Sequence, residues 1–322
     1  MNLGILLWNT CNAKCDHCAV NSGPREVAHM TDDDICKLID EAFYDGEQPS
    51  IGLSGGEAFL YFDRLCRIVQ YAIDRGAKVA INTNGFWGIT PEKAYEKVVK
   101  LKNMGLSQLT LSVDDFHEAY IPRRRVLNVV SACKRAQLEI RLQYVATRAT
   151  KRLADFLQES GDALLNVECR EIPCHPVGRA ATLIRDEDLF LNKRIPEGKC
   201  PSAILSVSAS GNAIPCCNTA GHLPSLKIGT ISESLPELNA RFHSDPVIWV
   251  LRFKGPAAFL DVAKRAGYSP RTDGFIDQCH LCYEIFKDPV VSAAVRKEAK
   301  VIMSDEILAC FTRQYQSNLN RA

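Results

Sequence analysis

Six apolar runs alternate with segments of helical spacing through the first half of the chain, and this order constrains the fold more than any other feature. The runs read as strands at residues 3–8, 50–53, 78–82, 109–113, 140–145 and 165–169. Between the first two, Thr31 is a fitting N-cap, Asp32, Asp33 and Asp34 load the first turn, and Ile35, Leu38, Ile39 and Phe43 recur at helical spacing. Helical segments also fall at 62–73, 91–104, 124–136 and 151–159. Strand–helix alternation predicts a parallel sheet with right-handed crossovers. Six units are too few for an eight-stranded barrel. The expected class is α/β, an open partial (β/α)6 barrel over residues 1–185, with its chemistry at the carboxyl ends of the strands. After about residue 185, frequent Pro and Gly with only short apolar runs predict a small, loop-rich module over 186–287 that needs a staple. Residues 288–322 read as a helical tail, with helices at about 290–300 and 305–316.

The net charge of +1 gives no global pull toward nucleic acid or a membrane surface. No run of about 18 apolar residues suggests a transmembrane span. The start, Met1-Asn2-Leu3-Gly4-Ile5, lacks a basic region and a small-residue cleavage site. The expected location is therefore cytoplasmic, where thiols stay reduced. Fourteen cysteines are many for such a chain, and clustered cysteines there point to metal rather than to disulfides.

The first cluster is Cys11, Cys15 and Cys18, a C-x3-C-x2-C loop directly after the first apolar run. Three thiolates within eight residues can wrap one face of a cubane. Three ligands to four irons leave one iron open to a substrate or cofactor. Zinc is the alternative, but it favours four ligands in C-x2-C pairs, and Asp16 and His17 supply a fourth only awkwardly from inside the loop. The loop thus reads as a [4Fe–4S] site whose open iron chelates S-adenosylmethionine (AdoMet). After the second strand comes Leu53-Ser54-Gly55-Gly56-Glu57. Its glycines permit close approach of backbone to a ligand, and Glu57 offers a carboxylate to a ligand's ammonium group.

These two motifs, one βα unit apart, resemble the radical S-adenosylmethionine superfamily, whose members carry C-x3-C-x2-C after the first strand and GGE after the second. The resemblance spans about residues 1–185. It implies that Cys11, Cys15 and Cys18 ligate the cluster and that Gly55, Gly56 and Glu57 hold the methionyl amine. It also implies reductive cleavage of AdoMet to methionine and a 5′-deoxyadenosyl radical. Asn84, in the loop after strand three, and Ser112, at the end of strand four, are then candidates to touch the cofactor. Gln143 lies within strand five, and Asp114 and His117 are placed to face substrate instead.

The remaining cysteines gather as Cys200, then Gly211-Asn212-Ala213-Ile214-Pro215-Cys216-Cys217, then Cys279-His280-Leu281-Cys282. Cys200, Cys216, Cys279 and Cys282 would equally suit a structural zinc. Their layout resembles the twitch module, which implies one auxiliary [4Fe–4S] cluster. Only Cys310 remains downstream, too few cysteines for another. Cys217 is left over, either a spare ligand or a free thiol. On extended backbone it points away from the site of Cys216, and its weak S–H bond suits it to quench a carbon radical.

At this point the chain is similar to the radical SAM peptide epimerases. The shared features are Cys11-Asn12-Ala13-Lys14-Cys15-Asp16-His17-Cys18, Asn84-Gly85-Phe86-Trp87-Gly88, the run at 114–117, Pro215-Cys216-Cys217, Leu251-Arg252-Phe253-Lys254-Gly255 and the closing C-x2-C. The resemblance implies an enzyme converting L- to D-residues in a ribosomal precursor peptide, with Cys217 as hydrogen donor and a flavodoxin or ferredoxin as electron donor. Two other readings stand beside it. A twitch-type dehydrogenase or peptide cross-linking enzyme would not need Cys217. A zinc-stapled α/β binding protein would carry zinc in place of about eight irons.

Overall fold

The computed structural model describes residues 1–217 and 220–319; the Cys310 side chain and the last three residues of the expected tail lie outside that description. Six strands form as the alternation predicts: β1 (Asn2–Leu6), β2 (Ser50–Ser54), β3 (Lys78–Thr83), β4 (Gln108–Ser112), β5 (Glu139–Ala146) and β6 (Glu168–Pro173). All five neighbouring pairs are parallel, in the order β6-β5-β4-β3-β2-β1. This is the expected α/β partial barrel. Residues of period two, such as Leu3 and Ile5, Ile51 and Leu53, Val79 and Ile81, and Leu109 and Leu111, are buried under the helices.

The helices start and stop where local chemistry directs. Thr31 and Asp34 form a capping box at Asp32–Glu41. Thr90 caps Pro91–Met104, which carries proline in its first turn and ends on left-handed Gly105. Two further crossover helices are Phe62–Asp74 and Arg123–Ala136. The sixth strand begins later than its apolar run suggested. Residues Gly161–Leu164 are a 3-10 turn, Leu165 is exposed, and Asn166 has φ of 61°, so the chain turns before it extends.

The second half departs further from expectation. Three short strands, β7 (Ser206–Val207), β8 (Asn212–Ile214) and β9 (Gly229–Thr230), extend the barrel's own sheet. β7 pairs parallel with β1, and β8 and β9 follow antiparallel, giving nine strands in one sheet. Leu205, Val207 and Ala213 accordingly share the hydrophobic core of the barrel. A second core gathers Val250, Phe259, Leu281, Ile285 and Val295. The helices Leu235–Ser244 and Gln278–Phe286 were hidden inside the loop-rich texture. The two helices expected in the tail are one, Pro289–Leu319, because nothing in Val301-Ile302-Met303-Ser304 breaks it. Among the described residues no helix is long and apolar enough to cross a membrane.

Candidate functional site

A cavity of about 580 Å³ opens at the carboxyl ends of the barrel strands. Cys11, Cys15 and Cys18 line it, from the loop that follows β1. That loop is braced from several sides. Gly56 N donates to Trp8 O (2.6 Å) and Glu57 N to Thr10 O (3.0 Å). Asn84 Nδ2 donates to Asn12 Oδ1 (2.9 Å), and Tyr120 Oη donates to Lys14 O (2.9 Å). Past β6, Arg179 N donates to Cys18 O (3.0 Å), and the Arg179 guanidinium reaches Ser22 O (2.9 Å).

This bracing changes the reading of the second motif. A Cβ on Gly55 would lie 2.4 Å from Trp8 O, and one on Gly56 would lie 2.2 Å from Thr10 O. Both glycines line the cavity, but the space a Cβ would need is filled by the backbone of the cysteine loop rather than by a ligand. Glu57 is also committed within the protein. Its Oε1 accepts from Phe59 N (2.9 Å) and Thr83 Oγ1 (2.6 Å), and its Oε2 accepts from Asn84 N (2.7 Å). Burial pushes its carboxyl up, and these three hydrogen bonds pull it back. The carboxylate therefore ties the end of β2 to the end of β3 beneath the cysteine loop.

The other barrel candidates reach the same cavity. Asn84 lines it while its amide is engaged with Asn12, and it lies 3.9 Å from Cys11 Sγ. Ser112 and Gln143 line it with side chains that bond to no described residue. Asp114 is fully buried and caps the short helix Asp115–Glu118. It meets His117 Nδ1 at 2.9 Å and His17 Nε2 at 3.7 Å. Burial pushes Asp114 up, yet the two imidazoles hold it below its ordinary value. Burial lowers His17 to about 4. His17 stacks on Phe116 at 4.7 Å, and its Nδ1 is buried without a partner.

The module borders the same cavity through Cys217, Asp277 and Cys279. Cys279 and Cys282 stand on the helix Gln278–Phe286, whose N-cap is Asp277. Burial raises both thiols; next Asp277 raises Cys279, and Cys200 and Cys216 nearby raise both further. The four expected cysteines are thus gathered. Cys217, like Cys279, lines the cavity of Cys11, Cys15 and Cys18, whereas its neighbour Cys216 is not part of that lining. Cys217 is exposed by surface area, yet the atoms around its sulfur desolvate it and raise its thiol.

Residues 5–139 match the Radical SAM superfamily. They form a radical SAM domain. The chain is also 25% identical over 292 residues to the putative peptide biosynthesis protein YydG of Bacillus subtilis (strain 168), covering 88% of this chain and 91% of the relative. An AdoMet-dependent heme synthase of Nitratidesulfovibrio vulgaris matches at 28% over 113 residues, 34% of this chain and 29% of that protein. Among solved structures, native anSMEcpe with bound AdoMet superposes with a TM-score of 0.59 over 100% of both chains, at 15% identity. That likeness extends the shared fold past the radical SAM domain to the whole chain.

The radical SAM domain implies a [4Fe–4S] cluster and AdoMet, and the residues present fit them. A tetrahedral zinc with bonds of about 2.3 Å needs its sulfurs about 3.8 Å apart. Among the described residues, the trio of ligand types gathered within 4.8 Å is Cys15, His17 and His117. Burial also raises Cys11 to about 11 and raises Cys15, so thiolates there need a cationic group beside them. The unpartnered His17 Nδ1 borders the same space.

Sequence reasoning missed several cavity residues. His175 Nε2 and Asp277 Oδ1 meet at 2.8 Å, linking the end of β6 to the cysteine-bearing helix across 102 residues. Arg170 on β6 lines the cavity as well. No spacing marks either, because their neighbours come from distant units.

Proposed function

We propose that the protein is a radical SAM peptide epimerase, converting L- to D-residues within a ribosomally made peptide. The observation that carries this reading is the placement of Cys217, which lines the cavity of Cys11, Cys15 and Cys18, while the adjacent Cys216 stays out of that lining and lies near Cys282, so that Cys279 alone of the four-cysteine set borders the cavity. The name of the Bacillus subtilis relative, which speaks of peptide biosynthesis, supports a peptide substrate. So does the matched anSMEcpe structure with bound AdoMet and Cp18Cys peptide.

In this reading Cys11, Cys15 and Cys18 hold the first cluster. The Gly55–Glu57 segment borders the methionyl amine, and Asn84 and Ser112 face the rest of the cofactor. Cys200, Cys216, Cys279 and Cys282 hold an auxiliary [4Fe–4S] cluster. When bound, the first cluster and AdoMet supply hydrogen-atom abstraction by a 5′-deoxyadenosyl radical. A peptide centre that has lost its Cα hydrogen is planar, so the face from which hydrogen returns sets its configuration. Cys217 returns that atom: its S–H bond breaks, the Cα–H bond forms, and a thiyl remains on Cys217. One electron and one proton restore the thiol, the electron coming from a donor such as flavodoxin or ferredoxin. The raised thiol suits this role, because hydrogen-atom donation needs S–H rather than thiolate.

The test is Cys217→Ala with a peptide that the wild type turns over. AdoMet cleavage should continue while D-residues fail to accumulate. Undiminished D-residue formation contradicts the reading. A product two mass units lighter, or a cross-link, formed equally well by both proteins would favour the dehydrogenase or cross-linking reading.

A further inference from the structure

A peptide must be held in one register for a single Cα to meet the radical, and β6 carries the features to do so. It is the outermost strand at its end of the sheet, pairing with β5 alone. Consecutive residues from Arg170 to His175 line the cavity. A strand presenting one face would contribute alternate residues only. The cavity therefore runs along the open edge of β6. Cys174 N donates to Ala146 O on β5, so residues 170, 172 and 174 turn their amides inward to the sheet. The alternate amide of Glu171 and the carbonyl of Pro173 turn outward, toward the cavity.

The charges on this strand are unevenly matched. Glu168 pairs with Arg141 at 2.8 Å. Glu171 pairs with Arg152 Nε at 2.9 Å and also accepts from Leu153 N at 2.7 Å. The side chain of Arg170, between them, makes no ion pair or hydrogen bond to any described residue. It stands in register with Gln143 and, through Gln143, with Ser112. These three side chains form a row across β4, β5 and β6 that faces the cavity and is unused by the protein.

We propose that the substrate peptide docks as an extended segment along the open edge of β6, with a carboxylate of the peptide held by Arg170. This rests on the peptide-modifying reading above. The guanidinium fork fits a carboxylate in bidentate fashion, and the acids beside it are already paired, so its charge is uncancelled. Main-chain pairing to β6 tolerates many sequences. The acidic anchor would fix the register and so decide which residue is presented to Cys217.

The test is selection from a displayed pool of randomised heptapeptides on the anaerobic, cluster-loaded enzyme with AdoMet. The wild type should enrich Asp or Glu at one position by roughly tenfold or more, the size of one charge-assisted hydrogen bond. Arg170→Gln should lose that enrichment, and Arg170→Lys should keep part of it. A wild-type pool without acidic preference, or a preference that survives Arg170→Gln, overturns the proposal. Loss of AdoMet binding in Arg170→Gln, read by equilibrium dialysis, also overturns it by assigning the guanidinium to the cofactor. Isotope labelling at Cα tests the epimerase reading separately, so the two can fail independently.

Discussion

At the scale of single residues, the site depends on the absence of side chains as much as on their presence. An alanine Cβ at Gly56 would sit 2.2 Å from Thr10 O and 2.6 Å from Asn9 O, both backbone atoms that cannot swing aside. At Gly52, in the strand just before, the nearest atom is Leu3 O at 4.0 Å. Gly56→Ala should therefore cost about 2 kcal/mol or more, as overpacking against fixed backbone does, and should lower the iron retained after anaerobic reconstitution. Gly52→Ala should leave both within error, measured by urea unfolding and iron content. Equal behaviour of the two variants would contradict the contact. The three cysteines of the loop were legible in the sequence because their spacing is local. The partners of Glu57 were not, since Thr83 and Asn84 belong to another βα unit and nothing in the sequence marks them as donors to it. The same holds for Arg170, whose meaning lies in which neighbouring acids are already paired.

At the scale of elements, Asp277 does two things at once. It caps the helix Gln278–Phe286 by accepting from His280 N (3.0 Å), and it meets His175 from the end of β6 (2.8 Å). Asp277→Ala removes both and should cost about 2 kcal/mol, a cap plus a hydrogen bond to a charged group. Asp277→Asn retains a capping side chain and should cost about half as much. Urea midpoints of the cluster-loaded proteins check this, and an Asn variant as unstable as the Ala variant would contradict the capping role. The six barrel strands were legible because each is long enough to show a pattern and each is followed by a helix. Strands of two or three residues, such as Ser206–Val207 and Asn212–Ile214, show no period. Their place is fixed by pairing with β1, which local sequence does not encode. The helix Gln278–Phe286 was obscured for another reason, since its C-x2-C pair reads as a ligand motif before it reads as part of a helical face.

At the scale of the whole molecule, one sheet carries both ends of the proposed chemistry. β1 leads into Cys11, Cys15 and Cys18, and its other neighbour, β7, opens the hairpin that leads to Cys217. Ser206 lies opposite Gly4 on β1, and its hydroxyl donates to Ile204 O (3.1 Å). Continuity of the sheet thus sets where the donor thiol stands relative to the cysteine loop, and a thiol held on one side of the peptide can return hydrogen only from that side. The exchangeable S–H of Cys217 takes its hydrogen from solvent, which makes the proposal readable in the product. Turnover of a peptide substrate in D2O, followed by mass spectrometry and stereochemical analysis, should give one deuterium at Cα of every D-residue formed. D-residues that carry protium at Cα under these conditions would contradict the account.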